Sequence, residues 1–117
     1  MRIVIYGIGK VGIRLAQTLS QEKHAIIIID QDKKKIEDIQ KTMDVLCVNR
    51  HIGDEDVVDE AKLKGADIFI SVSESDEENV VACMIAKKQG VQKTIARIRN
   101  PSYLNKDILD TEQHGID

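Results

Sequence analysis

Gly7-Ile8-Gly9-Lys10-Val11-Gly12 has the spacing G-x-G-x-x-G, and Asp30 follows 18 residues after the last glycine. These residue types in this order suit the holding of a nucleotide. Gly7 allows a tight turn, Gly9 lets the backbone approach a pyrophosphate with no Cβ in the way, and Gly12 allows a helix to pack closely on a strand. The helix that starts there offers unpaired N–H groups and a partial positive charge to an anion. Asp30 can accept hydrogen bonds from ribose hydroxyls. Its charge would repel a 2′-phosphate, which favours NAD or an adenosine nucleotide over NADP.

A glycine triple means little unless the right elements surround it, and here they do. The apolar run Arg2–Tyr6 ends in the glycines, a helical pattern follows over Val11–Gln21, and a second run, Ala25–Ile29, ends in Asp30. The unbroken isoleucines of that run predict a strand buried on both faces, as in a parallel sheet. Asp32 is a fitting cap for a helix over Lys33–Lys41. Val45–Val48 reads as a third strand, Asp54 to about Lys64 as a helix, and Asp67–Val72 as a fourth strand. Glu77–Gln89 reads as a helix closed by Gly90, Lys93–Ile98 as a fifth strand, and Asn100-Pro101 as the start of a last helix fading near Gln113.

Strands and helices thus alternate through residues 1–117 as one domain. Right-handed crossovers then predict a Rossmann-like, doubly wound α/β sheet of five parallel strands in the order 3-2-1-4-5. In such a sheet ligands bind beyond the strands' carboxyl ends where the winding reverses, here between strands 1 and 4. That rule draws the glycine turn, Asp30, the Asn49–Gly53 loop, the Ser71–Asn79 loop and Arg97 to one crevice.

Several residues near that crevice have two readings. Lys10 can reach the phosphates or remain a solvated helix-start lysine. Ser73, Asp76 and Asn79 can cap the fourth helix or donate to a second phosphate or ribose. Arg97 and Arg99 share one face of the fifth strand's end; they serve a phosphate or a partner surface, or only make ion pairs. Lys33-Lys34-Lys35 reads as the solvated face of a helix. His51 has no second ligand at metal-binding spacing. Cys47 and Cys83 read as buried free thiols of a reducing cytoplasm.

Composition narrows the function further. A net charge of −3 and 3% aromatic residues argue against a nucleic-acid partner, which calls for basic excess and stacking surfaces. No apolar run approaches the roughly 20 residues needed to span a bilayer. There is no nucleophile elbow, no GxxxxGK[ST] phosphate loop, and no acid or base in a substrate pocket. The residues point to binding without catalysis, with a small NAD-dependent oxidoreductase, or a fragment of one, as the alternative.

The chain resembles the nucleotide-binding domain of potassium-transport regulators, the RCK or TrkA N-terminal family. The matching pieces are the glycine turn, Ile29-Asp30-Gln31-Asp32, Gly65-Ala66-Asp67, Asp76-Glu77-Glu78-Asn79 and Ala96-Arg97-Ile98-Arg99-Asn100-Pro101-Ser102-Tyr103. The resemblance implies a ligand site made of Gly7 to Gly12, Asp30, Gln31, Asp32, Arg50, His51, Ser73, Asn79 and Arg97. It implies NAD(H) or an adenine nucleotide (ATP, ADP or AMP) as ligand, and a cytoplasmic homodimer or higher ring. Through that assembly the chain would act on a membrane potassium channel or transporter from its inner face.

The chain departs from the family pattern in three places. Lys10 replaces a common Arg, which loses bidentate phosphate geometry. Arg50-His51-Ile52 replaces Gly-Asp-Ala beside the adenine, where a long side chain would fill the pocket. The family's sixth strand is absent after Gly115-Ile116-Asp117, which would leave the fifth strand as an exposed edge and favour association.

Overall fold

The computed structural model describes residues 1–117. Five strands form one parallel sheet in the order 3-2-1-4-5, the predicted topology. They are β1 (Arg2–Tyr6), β2 (Ala25–Ile29), β3 (Leu46–Val48), β4 (Ile68–Ser71) and β5 (Lys93–Ala96). The helices are α1 (Lys10–Ser20), α2 (Lys33–Gln40), α3 (Val57–Glu60) and α4 (Asp76–Lys88).

Successive strand residues point to opposite faces, and both faces are covered. Ile3, Ile5, Ile26 and Ile28 pack with Ala16 of α1 and Ile36 and Ile39 of α2. Val4, Tyr6, Ile27, Ile29 and Phe69 pack with Val57 of α3 and Val80, Cys83 and Ala86 of α4. This two-sided burial is why the isoleucine run shows no polar alternation. Cys83 is buried as expected, and burial pushes its thiol up to about 12; Cys47 is only half-buried.

Two predicted helices are much shorter than their sequence patterns suggest. The one drawn from Asp54 to Lys64 is reduced to Val57–Glu60. Lys62 turns left-handed (φ 53°), and Leu63 and Ala66 then drop into the core. The last helix is only a 3-10 turn, Pro101–Leu104, followed by irregular turns. Asn105 is extended and its side chain accepts from the Asp107 amide. That local turn competes with helix continuation, and Leu104 and Ile108 stay exposed, with no buried face to hold a helix together.

The edge of β5 is less open than five strands imply. Asp117 donates its amide to the Thr94 carbonyl at 2.9 Å and accepts the Thr94 amide on Oδ2 at 2.9 Å. Ile116 is buried beside it. The outward-facing amide and carbonyl of Thr94 are therefore both satisfied.

Candidate functional site

A crevice of about 840 Å³ opens over the carboxyl ends of β1, β2, β4 and β5. Its floor is the glycine turn. Gly7 has φ 105°, and a Cβ there would lie 2.7 Å from the Ser73 amide nitrogen. A Cβ on Gly12 would overlap the Gly7 carbonyl oxygen, so α1 starts as close to β1 as backbones allow. Gly9 differs, because a Cβ on it would meet nothing within 4 Å.

The amides of Gly9, Lys10, Val11 and Gly12 donate to no protein acceptor, and α1 has neither a side-chain cap nor an acid in its first turn. The other two long helices are capped, α2 by Asp32 and α4 by Ser75. The uncapped end of α1 carries the positive end of its dipole. Among the three long helices only α1 starts uncapped, and it is the one that begins at the crevice.

Asp30 has a structural job that its spacing does not reveal. Only 9% exposed, it accepts the Ile8 amide on Oδ2 and the Asp32 amide on Oδ1, each at 2.7 Å. Its first role is to brace the glycine turn against the β2–α2 loop. Each carboxylate oxygen can still accept a further bond from a hydroxyl.

The remaining sequence candidates fall into two groups. Ile8, Lys10, Val11, Gln31, Asp32, Ser73 and Arg97 line the crevice together with Gly7, Gly9 and Asp30. Gly12, Arg50, His51 and Asn79 do not. Asn79 is fully buried and ties the β4 loop to the end of β5. It accepts from Ser71 Oγ, Ser73 N and Ser73 Oγ, and donates to the carbonyls of Ser73 and Arg97. Asp76 pins the next stretch by accepting the amides of Arg99 and Asn100, which hold its carboxyl below the usual range.

Arg50 does not fill the crevice, although the departure from the family pattern suggests that it would. Its guanidinium makes a two-pronged contact with Glu60, at 2.6 and 2.9 Å, and reaches Asp54 at 2.7 Å. The Glu60 carboxyl is held low by Arg50; the Asp54 carboxyl is held low first by the Asp56 amide and then by Arg50. His51 stands at the rim, with Nε2 2.9 Å from Glu78.

Sequence reasoning missed Tyr6 and Lys35 as lining residues, and within the Ser71–Asn79 loop, which it did draw to the crevice, it did not single out Glu74, Ser75 and Glu78. Lys35 was hidden in a lysine run read as solvated, yet it projects from the first turn of α2 into the crevice. The side chains of Lys10, Lys35, Arg97 and Arg99 all line the crevice without an ion pair. No group of three His, Cys, Asp or Glu side chains could hold a metal.

A parallel sheet wound in this order, with a glycine turn under its reversal point, defines the Rossmann-like class of doubly wound α/β domains. Within that class the chain belongs to the TrkA-N domain family, whose model matches residues 3–117. It is 36% identical over 117 residues to a Trk system potassium uptake protein TrkA homolog of Archaeoglobus fulgidus. That match covers 100% of this chain and 26% of the relative, so the chain spans about a quarter of its length.

Two solved structures share the fold. One is the TrkA-N domain of the Escherichia coli inner membrane protein ybaL, with a TM-score of 0.86 at 17% identity, covering 99% of this chain and 83% of that one. The other is the Shewanella denitrificans Kef CTD in AMP-bound form, with a TM-score of 0.73 at 18% identity, covering 92% of this chain and 68% of that one.

Proposed function

We propose that this chain is the ligand-sensing module of a potassium uptake system and that it binds NAD(H) or an adenine nucleotide (ATP, ADP or AMP) in the crevice. The observation that carries the reading is the open end of α1, where four amides lack acceptors beside the unpaired Lys10 and Arg97. A helix N-terminus with free donors and nearby cations suits a pyrophosphate. The Asp30 end then takes a ribose. The family's Trk relative supports potassium transport as the setting, and the AMP-bound Kef structure shows that a domain of this fold can carry an adenine nucleotide.

Binding can regulate a partner only if the ligand prefers one conformation over another. In this reading the chain works as a homodimer or higher ring at the cytoplasmic face of a membrane potassium channel or transporter. No helix of the chain is long and apolar enough to cross a membrane.

The test is a thermal-shift panel of NAD, NADH, NADP, ATP, ADP and AMP. At a hundredfold excess over Kd, a bound ligand stabilises by about 2.7 kcal/mol. A clear rise in Tm with at least one of them is expected, and no rise with any would overturn the reading. Turnover of nicotinamide with a small-molecule substrate would replace a sensor with an oxidoreductase.

A further inference from the structure

Glu78 joins three elements at the crevice wall. Its Oε1 accepts from the Tyr6 hydroxyl, at the end of β1, and faces Nε2 of His51, in the loop after β3, at 2.9 Å. His51 is itself set by Gly53, whose amide donates to Nδ1 at 2.9 Å. An Nδ1 that accepts makes Nε2 the protonated nitrogen of a neutral ring, so His51 donates to the carboxylate. The ring also meets Tyr6 edge-on, with 6.5 Å between centroids.

Tyr6 and His51 thus both converge on this one oxygen of the Glu78 carboxylate. Tyr6 keeps its proton for that bond, because burial and then the Glu78 contact raise its pKa above the ordinary range. Oε2 of Glu78 has no protein partner, and the side chain, 24% exposed, lines the crevice. Tyr6 is the residue before Gly7, so this charge is held about one side chain's reach from the phosphate seat.

We propose that Glu78 selects the ligand class. Fixed by Tyr6 and His51, its carboxylate favours a dinucleotide, whose phosphates are internal and flanked by sugar hydroxyls, over a nucleoside triphosphate. This rests on the nucleotide reading above. With the phosphates at the end of α1 and one ribose at Asp30, the rest of the ligand extends across the reversal point toward Ser73, Glu74 and Glu78. A second ribose there meets a carboxylate with a free lone pair, whereas a terminal phosphate meets a like charge. Arg97 and Arg99 attract the phosphates of either ligand, so discrimination falls to the acids at this end, Glu74 and Glu78, of which Glu78 is the one fixed in place by Tyr6 and His51.

The experiment is calorimetric titration of the wild type and Glu78→Gln with NAD and with ATP, at one low ionic strength and with EDTA present. Gln keeps an acceptor for Tyr6 and His51, so the fold is retained, which far-UV circular dichroism checks. The wild type is expected to prefer NAD, and Glu78→Gln to shift the NAD-to-ATP preference about tenfold toward ATP. Glu77→Gln, a neighbouring acid outside the crevice lining, is expected to leave the preference unchanged. A wild type that prefers ATP, or a ratio untouched by Glu78→Gln, overturns the inference while the nucleotide site stands. Binding of neither ligand overturns both.

Discussion

Asp30 and Ile8 lie 22 residues apart, yet the Asp30 carboxylate accepts the Ile8 amide at 2.7 Å inside a nearly closed site. The other oxygen holds Asp32 N at the same distance. Asp30→Ala would leave two amides without acceptors, and one buried unmet donor costs roughly 1–3 kcal/mol. Urea denaturation is expected to show a loss in that range or above, with nucleotide binding lost as the turn relaxes. A loss under about 0.5 kcal/mol would show that water replaces the carboxylate there.

Two glycines of the turn, Gly12 and Gly9, are expected to separate stability from binding. Gly12→Ala forces an overlap with the Gly7 carbonyl and should cost roughly 1–3 kcal/mol or more, as overpacking does. Gly9→Ala meets open space and should cost no more than about 1 kcal/mol of unfolding free energy, the loss of a favourable N-cap residue. It would nonetheless weaken nucleotide binding by intruding on the phosphate seat. Equal loss of stability in both variants would contradict the assignment of Gly9 to close ligand approach.

Asn79 is an anchor whose removal reaches the crevice indirectly. Its side chain is fully buried and makes five hydrogen bonds between the β4 loop and the end of β5. Asn79→Ala is expected to cost roughly 2–4 kcal/mol, since several buried partners lose their bonds together. Hydrogen exchange should quicken at Ser73 and Arg97. If stability is unchanged and only ligand affinity drops, Asn79 touches the ligand itself.

Arg50 should matter most in acid. Asp54 and Glu60 have folded-state pKa values below their ordinary 3.8 and 4.5. A depressed carboxylate contributes stability that is present above its unfolded pKa and lost as pH falls through the folded value. Arg50→Met is therefore expected to change stability little at pH 7, where an exposed network contributes little. It should flatten the acid limb of the stability curve below about pH 4.5. Identical acid limbs in the two proteins would remove the network as a source of acid sensitivity.

The order of elements was legible in the sequence, and so was the position of the crevice. The glycine spacing, the isoleucine runs and the turn residues between them are local signals, and parallel-sheet handedness leaves few ways to wind them. The family was readable too, because the Asp76–Asn79 and Ala96–Tyr103 segments carry residue types that the fold alone does not demand. Helix lengths were not: Asp54 and Asn105 look like helix material until their side chains close local turns. The partners of the acids at the crevice were also hidden. Asp30 appears from its spacing to wait for a ribose, but the folded chain first uses it on Ile8 and Asp32. Arg50 appears to invade the crevice, but Glu60 and Asp54 draw it away. Glu78 has no motif of its own, and gains its place only because Tyr6 and His51, 45 residues apart, converge on one of its oxygens. Sequence pattern determines which stretches become strands and helices, because that depends on neighbours along the chain. The partner of each polar side chain depends on neighbours in space, and only the tertiary structure decides those.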